Sequence, residues 1–158
     1  MKKWKYSGVQ LIDEVNNLKP RAVLDVGCGY NEFKGKINNL IGIDPYNNKA
    51  DLEVGTLEYK TDQKFDVILC LGSVNFGSRD KIIAEVGRCV DLLANGGTMF
   101  FRVNPGVQHD KPEADWIEFY AWNVPFIIEL SEIYNLKILD IRDDTNQRKY
   151  FVYKKQLT

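Results

Sequence analysis

The segment Asp25-Val26-Gly27-Cys28-Gly29-Tyr30-Asn31-Glu32 holds the first residues whose types and spacing bear on chemistry. A Gly-x-Gly turn lets backbone N–H groups come close to a bound molecule, because no Cβ stands in the way. A second carboxylate, Asp44, ends the apolar run Leu40-Ile41-Gly42-Ile43. A carboxylate so placed can accept hydrogen bonds from both hydroxyls of a ribose. Taken singly, the glycines mark a tight strand-to-helix turn and Asp44 before Pro45 is a turn or cap residue. Together they point to a ribose-bearing cofactor. The dinucleotide form of the turn wants a third glycine where this chain has Glu32. A pyrophosphate would lie beside that carboxylate, which disfavours a nicotinamide-dependent oxidoreductase.

His109 is the sole histidine and sits in Gly106-Val107-Gln108-His109-Asp110, after a strand. An imidazole titrates near pH 6.5, so His109 is the candidate general base, with a solvated loop histidine as the plainer alternative. One histidine without clustered partners makes no metal site, and none is expected. Cys28, Cys70 and Cys89 are odd in number and irregular in spacing, which predicts free thiols.

The elements that must position these residues alternate. Val9, Ile12, Val15 and Leu18 predict an amphipathic helix capped by Ser7 and stopped by Pro20. Three apolar runs read as buried parallel strands: Arg21 to Val26, Leu40 to Asp44, and Phe65 to Leu71. Ser78 to Leu93 reads as a helix with Ser78 as cap and Ile82, Ile83, Val86, Val90 and Leu93 as its stripe, ended by Gly96-Gly97. Thr98 to Val103 is a fourth strand. A helix is expected over Pro125 to Tyr134, with Ile127, Leu130 and Ile133 or Tyr134 inward. Strands Leu136 to Arg142 and Lys149 to Tyr153 flank the turn Asp143-Asp144-Thr145-Asn146 and should be antiparallel neighbours. The alternation implies a doubly wound, Rossmann-like α/β fold with helices on both faces, and ligands at the carboxyl ends of the strands.

The 158 residues predict one domain. Such a chain buries roughly 70% of its unfolded surface and needs no disulfides. The 44% hydrophobic and 27% charged fractions are those of a globular protein. A net charge of -1 excludes a domain held on nucleic acid by bulk charge. No apolar run approaches the roughly 20 residues of a membrane span, and no signal core follows the basic start, so a cytoplasmic protein is expected.

Four fragments in order, Val23-Leu24-Asp25-Val26-Gly27-Cys28-Gly29, Ile41-Gly42-Ile43-Asp44, Phe65-Asp66-Val67-Ile68-Leu69-Cys70-Leu71-Gly72-Ser73 and Leu92-Leu93-Ala94-Asn95-Gly96-Gly97-Thr98-Met99-Phe100, make residues 21–103 resemble the class I S-adenosylmethionine-dependent methyltransferases. The resemblance implies a mostly parallel seven-stranded sheet with an antiparallel C-terminal strand. It implies S-adenosyl-L-methionine as cofactor. Gly27, Cys28 and Gly29 would pass under its methionine moiety, with Asp25 holding that loop or the amino group. Asp44 would take the ribose hydroxyls. Thr56 and Leu57 would lie at the adenine, Thr56 standing where an acid is common, with Asp51 or Glu53 as substitutes. Leu71, Gly72 and Ser73 would close over the cofactor near its sulfonium. Three departures stand out. Asn31 replaces the usual third glycine and tolerates left-handed angles. The first crossover, Tyr30 to Asn39, has room for about two helical turns. The chain carries no inserted substrate-recognition domain.

The acceptor is less legible. The Asn/Asp-Pro-Pro-aromatic motif of adenine-in-DNA methyltransferases is missing from Leu71-Gly72-Ser73-Val74-Asn75-Phe76-Gly77, and no Pro-Cys nucleophile serves cytosine. A small-molecule acceptor is expected, RNA or protein next, and DNA is disfavoured. Trp116, Phe119, Tyr120, Trp122 and Phe126 read as packing on the sheet or as a lid, which Trp4 and Tyr6 could join. Arg142, Arg148, Lys149, Lys154 and Lys155 read as a solvated edge or a phosphate-binding surface. The competing function is a non-catalytic domain of the same fold that binds the cofactor or a partner protein.

Overall fold

In the computed structural model, the structure describes residues 9–71, 78–103, 122–143 and 148–157. Helix α1 (Val9–Asn17) precedes strands β1 (Val23–Val26), β2 (Leu40–Ile43) and β3 (Phe65–Cys70). Helix α2 (Arg79–Leu92), strand β4 (Leu93–Val103), helix α3 (Val124–Ile133), and strands β5 (Leu136–Asp143) and β6 (Lys149–Lys155) complete the order. The sheet runs β2-β1-β3-β4-β6-β5, parallel through β4, with β6 antiparallel to both its neighbours.

Six strands stand among the described residues, not the seven expected. After β2, the chain makes only an isolated parallel bridge, Ile43 with Leu52. Eight residues separate that pair, too few for the crossover helix that would bring a further full strand alongside. The first crossover differs as well. Residues 27–39 contain no α-helix but a chain of turns, with Asn31 N–H donating to Cys28 and Lys34 N–H to Asn31.

Alternation along the strands divides the core between two faces. One face packs Leu24, Ile68, Cys70, Phe101, Phe151 and Tyr153 against α2 and α3. The other packs Val23, Val67, Leu69, Phe100 and Val152 beneath Leu11 and Val15 of α1 and Ile37 of the turns. In α1, Leu11 and Val15 are the buried pair, while Leu18 lies past the helix end and is half exposed. Ser7 and the side chain of Val9 are outside the described residues.

Helix α2 begins as its sequence predicts: the Ser78 hydroxyl accepts the Lys81 N–H. Its buried stripe is Ile82, Val86, Cys89, Val90 and Leu92, and Leu93 already belongs to β4. Gly96-Gly97 lies inside β4, where Phe65 faces Leu93 but Val67 faces Thr98. The extra residues form a bulge, and Gly96 takes φ 77° within it. Helix α3 is capped by Asn123, whose side chain accepts the Phe126 N–H, and carries Pro125 in its first turn. Its sheet-facing side holds Phe126, Ile127 and Leu130; Tyr134, not Ile133, continues it, with its hydroxyl donating to Ile83 O at 2.6 Å. That ring passes over Gly87, where a Cβ would meet the Tyr134 hydroxyl at 2.5 Å.

Candidate functional site

Strand register brings the two sequence-predicted halves together. Asp25 pairs with Gly42 and Val26 with Ile43, so the Gly-x-Gly turn emerges beside Asp44. Gly27 and Cys28 N–H both donate to Ile43 O, at 2.8 and 3.0 Å. Gly27 and Gly29 take φ 69° and 57°, angles that cost an L side chain energy. Asn31, in the third glycine's place, takes φ 63°.

Asp44 is held from two sides. One carboxylate oxygen accepts the Gly29 N–H at 3.0 Å and the other accepts the Tyr46 N–H at 2.8 Å. Each oxygen keeps a lone pair for a further donor. Space in front of Gly29 is open, with nothing within 4 Å of a Cβ built there.

Asp25 is 4% exposed, yet makes no hydrogen bond to the loop among the described residues. Burial, and then the charge of Asp44, push its carboxyl up to about 7. The loop is therefore held by Ile43 and Asp44, and Asp25 is left as a buried acid facing a second acid. A ligand cation would relieve both. Cys28 stands beside them, its thiol pushed up to about 12 by burial and by Asp25, Asp44 and Asp51, so it stays protonated and does no thiolate chemistry.

Gly42 was not singled out from sequence, and Asp51 was read only as a substitute acid at the adenine. Gly42 is the floor on which the turn rests: a Cβ there would strike the Asn31 amide oxygen and meet the Cys28 sulfur at 2.8 Å. A lone glycine within a strand is the available signal for such a close approach. Asp51 pins the same turn, accepting from Gly42 N–H at 2.8 Å, Lys34 Nζ at 3.1 Å and Asn31 Nδ2 at 3.4 Å. Partial burial alone would raise its carboxyl, but these donors hold it below the usual range. All three donors meet the same oxygen, Oδ2, so Asp51 pins the turn through one side of its carboxylate.

Thr56 is buried and Leu57 half exposed in the turn Gly55–Tyr59, where Tyr59 N–H donates to Gly55 O. Leu71 follows β3 directly and is partly buried against the α1-side core. Gly72, Ser73 and His109 lie outside the described residues, as do Trp4, Tyr6, Trp116, Phe119 and Tyr120. Trp122 and Phe126 pack on the sheet: Trp122 is fully buried, 4.9 Å from Phe126 and 5.6 Å from Phe151 between ring centroids. The basic tail is divided by the antiparallel hairpin. Lys149 pairs with Val103 at the site end of β4, while Lys154 pairs with Thr98 at the far end. Cys28, Cys70 and Cys89 are free thiols. Among the described residues no cluster of three metal-ligating side chains occurs, and no helix is long and apolar enough to cross a membrane.

No family model matches the chain, and no curated protein does. Solved structures do. The chain is similar to the 1,6-didemethyltoxoflavin-N1-methyltransferase of Burkholderia thailandensis, solved with 1,6-didemethyltoxoflavin and S-adenosylhomocysteine, with TM-score 0.74 and 15% identity over 94% of this chain and 78% of that one. It is similar to an S-adenosylmethionine-dependent methyltransferase of Clostridium acetobutylicum, with TM-score 0.73 and 15% identity over 99% and 93%. It is similar to CalS10, an amino pentose methyltransferase of Micromonospora echinaspora solved with S-adenosylmethionine, with TM-score 0.73 and 14% identity over 98% and 92%. At such identities the likeness establishes the fold: a Rossmann-like class I methyltransferase architecture.

Proposed function

We propose that this chain binds S-adenosyl-L-methionine at the carboxyl ends of β1 and β2 and transfers its methyl group to a small-molecule acceptor. The observation that carries this reading is the pair of carboxylates. Asp44 is fixed by Gly29 and Tyr46 with lone pairs to spare, beside Asp25, a buried acid without a cation. A ribose diol suits the first, and the α-ammonium of a methionine moiety suits the second. The open face of Gly29 admits a chain passing close to the backbone. The cofactor supplies an electrophilic methyl on a sulfonium when bound.

The chain's own residues then position and enclose. Gly27, Cys28 and Gly29 line the methionine moiety; Asp44 orients the ribose; Thr56 and Leu57 bound the adenine; Leu71, Gly72 and Ser73 approach the sulfonium. Methyl transfer is an in-line displacement, so orientation supplies much of the acceleration. Where the acceptor is an amine or hydroxyl that must lose a proton, His109 is the residue assigned to take it. The fold likeness to methyltransferases of small molecules supports the acceptor class. A cytoplasmic setting fits a chain with three free thiols.

Calorimetric titration with S-adenosylhomocysteine, with NAD as control, tests the cofactor. Micromolar binding of the first alone is the expected result, and binding of neither removes the reading. Transfer of label from the cofactor into the small-molecule fraction of a cell extract tests the acceptor; label appearing only in RNA or protein would reassign it.

A further inference from the structure

The end of the sheet opposite the paired carboxylates collects positive charge around an opening. Lys137 of β5 stands directly across from Lys154 of β6, and Thr98 of β4 flanks Lys154 on its other side. Like charges directly opposite one another in an antiparallel pair repel. Both lysines are exposed, and neither has an acidic partner among the described residues. Both line a cavity of about 360 Å³, together with Gly96, Lys155, Gln156 and Leu157. A second cavity, of about 240 Å³, shares Lys154 and Gly96 with the first and continues to Thr98, Pro20 and Leu18. Lys155 Nζ donates to Val90 O and Leu93 O, both at 2.9 Å, which leaves it one N–H. Burial, and then the charge of Lys64, hold its ammonium below the usual lysine range. Among the described residues no acid lines the larger cavity. Asp66, on the wall of the smaller one, accepts the Arg21 N–H at 2.6 Å and lies 3.6 Å from the guanidinium of that residue.

Three ammonium groups around one opening, with no carboxylate among them, suit an oxyanion of more than one charge. A phosphate ester carries about 1.5 to 2 negative charges on three acceptor oxygens. The walls are apolar as well as charged. Leu157 is 76% exposed beside the larger cavity, and Leu18 and Pro20 border the smaller. A bare phosphate would leave those walls wet, whereas an organic ester would cover them. Where the two cavities meet, a Cβ at Gly96 would find only Leu157 Cδ2, at 3.8 Å, so the backbone stands open there. A net charge of -1 gives little field to hold a long polynucleotide. We propose that this double cavity, at the amino ends of β1 and β3, binds a small phosphorylated organic molecule, its phosphate between Lys137 and Lys154 and its apolar part along Gly96 and Leu157. Thr98 lies about 17 Å along β4 from Val103 at the carboxyl end. A molecule bound here is therefore not the methyl acceptor, and the site stands independently of the methyl-transfer reading.

NMR titration of the intact protein with phenyl phosphate, against sodium chloride at matched ionic strength, tests the site. The amide resonances of Gly96, Gly97 and Thr98 are expected to shift and saturate with phenyl phosphate and to stay in place with chloride. Lys137→Gln and Lys154→Gln each remove a charge-assisted donor and should weaken that binding roughly 10-fold or more. Lys149→Gln removes the same charge from the opposite end of β6, beyond the reach of screened charge, and should leave affinity within about twofold. Inorganic phosphate, lacking the apolar contact, should bind about 10-fold more weakly than phenyl phosphate. Shifts that sodium chloride reproduces would mean charge screening alone and overturn the inference whether or not the variants fold. Affinity unchanged in both Lys137→Gln and Lys154→Gln overturns it too. Inorganic phosphate binding as tightly as phenyl phosphate, or a short single-stranded uridine RNA binding more tightly, overturns the assignment to a small organic phosphate.

Discussion

The turn over β2 and the aromatic slab beneath α3 are held by different forces. Around Gly27–Asp51 the chain forms no helix, and its shape comes from directional bonds: Ile43 O, Asp44 and Asp51 each take backbone donors, and four residues between 27 and 35 sit at positive φ. The slab has Phe101 stacked on Phe151 at 4.7 Å and 7°, with Trp122 and Tyr153 against the same rings. Tyr153 OH donates to Ile127 O at 2.6 Å at its edge. Burial is non-directional and scales with area, so the slab supplies stability without fixing any single polar atom. Hydrogen bonds contribute less net stability but fix position, which a ligand site requires. The difference predicts that stability and cofactor affinity can be damaged separately.

The largest effect should come from the slab. Phe151→Ala is expected to cost about 3–5 kcal/mol in denaturant unfolding, while the fraction that stays folded binds S-adenosylhomocysteine unchanged. A parallel loss of affinity would show that the two regions are mechanically one.

Asp25 tests the polar region from the side of pH. Its carboxyl titrates higher in the folded chain than the unfolded value of 3.8, at about 7. The folded state therefore holds the proton more tightly. That contribution is complete below about pH 4 and is lost as pH rises through about 7, with an upper bound of about 4 kcal/mol. Asp25→Asn should flatten the decline of stability between those values. An unaltered slope would show that the carboxyl is solvated and not strained.

Asp44→Ala should cost less in unfolding than Phe151→Ala, about 1–2 kcal/mol for the two backbone donors it frees, and should remove charge-assisted bonds to the ligand of about 1.5–3 kcal/mol. Affinity for S-adenosylhomocysteine should then fall roughly 10- to 150-fold. Gly42→Ala joins the two readouts. Its methyl would displace Asn31 and Cys28 at a cost of about 1–3 kcal/mol in stability. Because those residues form the turn, cofactor affinity should fall with it. Retained affinity would mean that the turn can shift without disturbing Asp44.

Residues 23–26, 40–43 and 65–70 were legible as strands because runs buried on both faces must be apolar throughout. Ser78 and the stripe of α2 were legible because capping and helical period are local. The meeting of Gly27-x-Gly29 with Asp44 could be anticipated for a similar reason: both follow parallel strands and must emerge at the same edge. The missing helix after β1 was not. Ten residues can form two turns of helix or a string of tight turns, and the choice fell to Asn31, Asp51 and the bare floor at Gly42. Those contacts join residues distant in sequence, so no local pattern encodes them.

The order of elements, the carboxyl-edge loop, its glycines and the carboxylate of Asp44 beside it were determined by sequence alone, because hydrophobic period and backbone freedom act within a few residues. Tertiary structure alone decided that Asp51 is a pin and that Asp25 is a buried acid beside another acid. Those roles depend on which dipoles and charges surround a side chain, and only the folded chain brings them together.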